Sequence, residues 1–184
     1  MIEFNENTDS LFALESVERH EAVIPITEID FKMKYKDNCL SCPEYGKNLS
    51  CPPFSPGFHD FVGNLNRAKV ICLRMPLHLL GDLPEKERPR AAYDRLSLLL
   101  AGILTEEREK GYKVAGAGAC NACRVCPIEK GDMICIKPEE QIFSLESMGV
   151  NISALLERCF DIKLEWSESR YEARHICAVG ACFY

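Results

Sequence analysis

Residues 119–138 read ACNACRVCPIEKGDMICIKP, and their cysteine spacing is the strongest signal in the chain for a metal-binding fold. This second cysteine loop holds Cys120, Cys123, Cys126 and Cys135. Two-residue spacers let one tight turn aim three sulfurs at a common centre, and a more remote fourth cysteine completes the ligands of a cubane [4Fe–4S] cluster. Zinc sites more often use two separated C-x2-C pairs, so the spacing favours an iron–sulfur cluster over zinc, and both over buried unligated thiols or a disulfide.

The residues beside this loop agree with a closed four-thiolate site. Pro127 follows the third cysteine, as a proline does in the Cys-Pro of ferredoxin loops. Gly116 and Gly118 precede the loop, where they would let the backbone approach a cluster and donate N–H groups to its sulfurs.

A first cysteine loop, residues 38–56, supplies Cys39, Cys42 and Cys51. Gly46 permits a chain reversal between them, so we predict that the three sulfurs surround one centre, separate from that of the second loop. Three ligands could hold a cluster with one open iron, a distant fourth ligand could close the site, or the metal could be zinc. Candidates for the distant ligand, none favoured by the sequence, are Cys72, Cys159, Cys177 and His59. The remaining interpretation is a proline-rich structural loop.

The other cysteines carry weaker signals. Cys72 lies in a short apolar stretch and Cys159 on the apolar face of a predicted helix, so both are expected in the core. Cys177 and Cys182, in the C-terminal CAVGAC, could form a thiol pair, bind metal or simply pack in a strand.

The charge, hydropathy and cysteine count of the chain indicate the cellular compartment that we expect. The chain has 184 residues, 11 cysteines and a formal net charge of -6. An acidic chain is a poor match for nucleic-acid phosphates, and no apolar stretch is long enough to cross a bilayer. The acidic start lacks the layout of a signal peptide, so we expect a cytoplasmic protein. In a reducing cytoplasm, such loops indicate metal ligands or redox thiols rather than disulfides.

Apolar periodicity predicts alternating strands and helices. Strands are predicted over 24–35 (one or two), 69–75, 112–117, 160–166 and 174–183, the last two as a hairpin. Four helices are predicted: one around 9–18, one that begins at Ser55-Pro56, a long one that ends near Lys110, and one that begins at Asn151. The long helix has a core stripe of Ala92, Leu96, Leu99, Leu100 and Ile103. We expect residues 1–184 to form a single α/β domain, in which a mixed sheet with packed helices carries two cysteine-rich metal-binding loops.

Both loops and the segment after them carry the motifs of one family. In chain order these are Cys39-Leu40-Ser41-Cys42, Tyr45-Gly46, Cys51-Pro52-Pro53, Gly118-Ala119-Cys120 running to Cys126, Cys135 with Pro138-Glu139, and residues 145–151, LESMGVN. Over this span the chain resembles a family of small bacterial and archaeal proteins of unknown function that are regarded as metal-binding. Ile136 departs from the family pattern, which has a basic residue there, and Asn151 replaces an acidic one. The resemblance implies metal binding and no particular reaction.

Three functions agree with these features. The first is an iron–sulfur protein, with one or two clusters, that transfers electrons or serves as a redox accessory to a partner enzyme. The second is an enzyme that binds a small substrate at the open iron of a three-cysteine cluster. The third is a structural or regulatory zinc protein, whose metal folds the loops. We favour the first; the sequence identifies neither the redox partner nor the oligomeric state.

Overall fold

One four-stranded sheet organises the protein, whose structure, a computed structural model, describes residues 17–165 and 173–184. The strands are β1 (Glu18–Pro25), β2 (Arg67–Pro76), β3 (Lys113–Ala115) and β4 (His175–Phe183), in the spatial order β1-β2-β4-β3. All three strand pairs run antiparallel. The prediction of helices packed on a sheet is confirmed. Parallel pairing, which a mixed sheet would contain, is limited among the described residues to an isolated bridge between Gly116 and Ser144.

The central strands β2 and β4 are apolar on both faces because both faces are covered. In β2, Val70 and Cys72 point to one side, whereas Ile71 and Leu73 point to the other, and all four are buried. A strand covered on both sides reads as a continuous apolar run, which is why the strand over 69–75 was predictable.

The long helix α2 (Arg88–Glu109) covers one face of the sheet. Its buried residues include Ala92, Leu96, Leu100 and Leu104, while the predicted Leu99 and Ile103 are only partly buried. A Cβ at Gly180 of β4 would lie 3.1 Å from Leu104 and 2.9 Å from the Ala115 carbonyl oxygen, so the glycine permits this close approach of helix and sheet.

The short helix α1 (Phe58–Val62) and helix α3 (Ile152–Phe160) pack on the opposite face. Phe58 meets Phe183 of β4 edge-on, with ring centroids 5.7 Å apart. Asn151 caps α3 as predicted, because its side chain accepts a hydrogen bond of 3.1 Å from the Ala154 N–H. The result is a three-layer arrangement with helices on both sides of the sheet.

Several predicted boundaries are wrong. The strand over 24–35 ends at Pro25 and is followed by 3₁₀ turns over Ile26–Glu28 and Met33–Ser41. Ile26 and Ile29 are both buried because residues three apart share a face in a 3₁₀ turn. We had interpreted the apolar residues of this segment as the alternation of a strand. Residues 161–165 form no strand, and the helix predicted around 9–18 lies mostly outside the described residues.

Within the two described ranges, no helix has the length and apolar character that a membrane span requires.

Candidate metal centre

The second cysteine loop follows β3 and folds around a cavity that all four of its cysteines line. Each of these thiols is half-buried. A 3₁₀ turn over Pro127–Lys130 ends at Gly131, which adopts a left-handed conformation with φ 88° and turns the chain back toward Cys135. Cys120, Cys123, Cys126 and Cys135 therefore share the lining of one cavity.

The pKa of Cys123 reflects the proximity of the other three cysteines of the loop. Burial raises the pKa of the Cys123 thiol, and the neighbouring Cys135, Cys120 and Cys126 raise it further, whereas Lys137 opposes them. A cation bound among these cysteines would favour the ionised form of Cys123, which is the usual chemistry of thiolate metal sites.

The first cysteine loop forms one wall of the same cavity through Asn48 and Leu49. The Asn48 side chain donates to the Cys120 carbonyl oxygen over 2.9 Å. The Cys120 N–H in turn donates to the Ser50 hydroxyl over 3.0 Å. These bonds hold the first residue of the second-loop motif against the first loop.

One hydrogen bond reaches a candidate ligand sulfur directly. The backbone N–H of Leu49 donates to the Sγ of Cys126 over 3.4 Å. Gln141 holds the same residue through its other backbone group, since the Gln141 side-chain N–H donates to the Leu49 carbonyl oxygen over 3.2 Å. N–H···S bonds of this kind stabilise a thiolate ligand and adjust the potential of a bound cluster.

The first loop is itself folded tightly. Gly46 has a φ of 72°, and its N–H donates to the Pro52 carbonyl oxygen over 2.9 Å, so the predicted chain reversal occurs there. Cys51 is buried, Cys39 half-buried and Cys42 exposed.

The thiols of the first loop lie within electrostatic range of one another. Burial raises the pKa of Cys51 to about 11, and Cys42 and Cys39 contribute in the same direction. The pKa of Cys39 is likewise raised by burial first and by Cys42 second.

Among residues 17–165 and 173–184, no three His, Cys, Asp or Glu side chains are arranged so that they could hold a metal ion. The donor chemistry nevertheless fits a thiolate-bound metal, because the second-loop cysteines share one cavity and an N–H group already points at one of their sulfurs. The assignment of the seven cysteines as ligands stays a prediction.

Comparison with protein families agrees with this geometry. The family model described as "Predicted metal-binding protein (DUF2284)" matches residues 22–179, a range that includes both cysteine loops. The chain belongs to this family. The resemblance seen in the sequence is therefore confirmed. The family description indicates metal binding and specifies neither the metal nor a reaction. Neither the curated proteins nor the solved structures yielded a match.

In this DUF2284 protein, the four residues considered as a distant ligand of the first loop lie on the strands and helices of the fold. Cys72 is buried in the sheet, as predicted, and interacts with Cys177 on the neighbouring strand. The Cys72 hydrogen bond is the main cause of a lowered pKa at Cys177. Cys159 packs on the core from α3, and His59 is exposed on α1.

Cys177 and Cys182 do not pair with each other. They lie an odd number of positions apart on β4, so they face opposite sides of the sheet. Cys177 packs toward the side of α3, and Cys182 is buried beneath α2. For Cys182 the interpretation as strand packing is confirmed.

Sequence reasoning missed the polar residues that join the two loops. Asn48, Ser50 and Gln141 contact residues 70 to 92 positions away, so no local spacing signals them. The expected role of Gly116 is wrong, because its N–H donates to the Phe143 carbonyl oxygen over 2.9 Å rather than to a sulfur. Gly118, with a φ of 71°, makes room for the Tyr93 hydroxyl.

Proposed function

We propose that this protein binds a [4Fe–4S] cluster in the second cysteine loop and a second iron–sulfur centre in the first, and that it exchanges electrons with a partner enzyme in the cytoplasm. The observation that carries the proposal is the Leu49 N–H donated to the Cys126 sulfur inside a cavity lined by four cysteines. The C-x2-C-x2-C spacing favours a cubane cluster over zinc.

Adjacency of the two centres supports electron transfer. Leu49 contacts the second centre, and Cys51, only two residues later, is a predicted ligand of the first. Two residues of extended chain span at most about 7 Å, so a single short peptide connects the two centres. A purely structural metal requires no such connection.

The surface around the second loop supports a partner protein. Four large apolar side chains there are exposed: Val125 at 45%, Met133 at 62%, Ile134 at 78% and Ile136 at 69%. Contiguous exposed apolar groups on a soluble surface are typical of protein–protein contact sites. An electron entering or leaving through this loop would pass beneath that surface.

Anaerobic purification with iron and acid-labile sulfide analysis tests the proposal. We expect brown protein with about four irons and four sulfides for a cubane cluster, and more if the first loop is loaded. A reduced sample should give the electron paramagnetic resonance signal of such a cluster. Colourless protein that carries only zinc, even after anaerobic reconstitution with iron and sulfide, would instead establish the structural zinc function.

A further inference from the structure

The carboxyl group of Glu146 is buried in an unusual way. Glu146 begins a 3₁₀ turn, Glu146–Met148, that follows the second cysteine loop. Its Oε2 atom is buried and has no hydrogen-bond partner among the described residues. Buried carboxyl oxygens without partners are costly and rare, so this atom is a candidate to bind a cation.

Two hydrogen bonds hold this turn against both ends of the first cysteine loop. Before the loop, the Lys32 N–H donates to the Gly149 carbonyl oxygen over 2.9 Å. After Cys51, the Ser55 hydroxyl donates to the Ser147 carbonyl oxygen over 2.6 Å. The glutamate therefore lies beside the 3₁₀ turn Met33–Ser41, which carries Cys39.

The carboxyl and thiol groups share one electrostatic environment. Burial raises the pKa of Glu146, and hydrogen bonds from its own backbone N–H and from the Ser144 side chain oppose that rise only in part. The same carboxylate contributes to the raised pKa of Cys39, after burial and Cys42. The adjacent Lys36 ammonium donates to the Ser55 carbonyl oxygen over 2.8 Å. A cation bound between the thiols and the carboxylate would compensate their negative charges, as Lys36 already does in part for Cys39.

We propose that Glu146 is the fourth protein ligand of the metal centre formed by Cys39, Cys42 and Cys51. This inference rests on the proposed function and completes it, because three thiolates are one ligand short of a closed site. The four residues considered from sequence are all held elsewhere, whereas Glu146 presents an unpartnered oxygen beside the loop. The centre would then have three sulfur donors and one oxygen donor.

Glu146→Gln is the decisive variant, since it keeps the shape of the side chain and removes its charge. Co²⁺ added anaerobically to the full-length, metal-free protein is the probe, with visible spectra reporting the donor set and chelator competition reporting affinity. We expect at least a tenfold loss of Co²⁺ affinity at the first loop and a changed spectrum. Asp37→Asn, which removes the charge of an exposed carboxylate just before the loop, should leave both unchanged.

Stability of the metal-free protein separates a ligand from a structural role. A buried carboxylate with one unpartnered oxygen opposes folding, so metal-free Glu146→Gln should be at least as stable to urea as the wild type. A marked loss of stability without metal would overturn the assignment. So would unchanged Co²⁺ affinity and spectrum in a wild type shown to load its first loop.

A serine variant at Cys39, Cys42 and Cys51 distinguishes this failure from failure of the proposed function. If that variant binds as much Co²⁺ and as much iron as the wild type, the first loop holds no metal. Both the first-loop centre and the role of Glu146 would then be wrong, while the second-loop cluster would stand on its own iron and sulfide content.

Discussion

The Leu49 N–H donates to the Cys126 sulfur over 3.4 Å, and these residues are 77 positions apart in the chain. Each cysteine loop thus forms part of the other's environment. The structural order of one candidate centre therefore depends on the other, because displacing the first loop by a few ångströms would break its hydrogen bond to the Cys126 sulfur. The following predictions test this dependence and the fold that maintains it.

Asn48→Ala should loosen both loops at once. The buried Asn48 side chain donates to Cys120 and accepts from both the N–H and the hydroxyl of Ser50. Losing these bonds should lower the free energy of unfolding by about 1–3 kcal/mol. Iron should also be released faster to a chelator from the second loop. Urea unfolding and chelator kinetics measure the two effects.

Asn38→Ala provides the control, since Asn38 is an exposed residue of the same loop. It should change neither stability nor iron release. Equal behaviour of the two alanine variants would mean that the bonds between the loops contribute nothing to either centre.

Cys123→Ala and Cys72→Ala should separate a ligand cysteine from a core cysteine. Cys123 lines the second-loop cavity, whereas Cys72 is 0% exposed within the sheet. We expect the first change to remove most cluster iron and sulfide from the second loop. The second should leave both contents intact and lower the free energy of unfolding by about 1 kcal/mol. The reverse result would show that the ligand assignment is wrong.

Glu107→Gln should destabilise the attachment of α2 to the sheet in a pH-dependent way. The Glu107 carboxylate accepts from Lys69 over 2.7 Å and from Lys110 over 3.1 Å. The Lys69 hydrogen bond is the main cause of a pKa below the ordinary 4.5. Near neutral pH the variant should lose about 1–3 kcal/mol of unfolding free energy.

The sign of the pH effect follows from that lowered pKa. The carboxylate contributes its full stability above the unfolded-state pKa, and this contribution disappears as pH falls through the lower folded-state value. Urea midpoints of wild type and Glu107→Gln should therefore converge in acid. Glu106→Gln, at the exposed neighbouring position, should match the wild type at every pH. A gap of constant size would contradict the ion-pair explanation.

Gly149→Ala and Gly131→Ala compare two glycines with the same φ of 88°. A Cβ at Gly149 would lie 2.8 Å from the Lys32 carbonyl oxygen, whereas a Cβ at Gly131 meets nothing within 4 Å. Gly131→Ala should cost about 1 kcal/mol for the left-handed backbone alone. Gly149→Ala should cost at least about 2 kcal/mol, because the turn carrying Glu146 must move. Thermal unfolding of both variants measures the two losses of stability, and equal losses would rule out a steric contribution at Gly149.

Elements governed by local periodicity could be predicted from the sequence. The apolar run of β2, the Asn151 cap of α3 and the spacing along α2 each depend on residues a few positions apart. The predicted strand over 24–35 failed because Ile26 and Ile29 are buried by a 3₁₀ turn, and apolar content alone does not distinguish the two.

The sequence by itself determined the family and predicted thiolate ligands, because thiol identity and the C-x2-C-x2-C spacing are covalent properties of a short segment. The tertiary structure alone decided that Asn48 and Leu49 of the first loop line the cavity of the second, and that the turn Glu146–Met148 lies against the turn that carries Cys39. It also placed Cys72 next to Cys177 and Cys182 on the opposite face. These are relationships between distant positions, and they exist only once the sheet has fixed the register of β2 against β4 and brought the loops together.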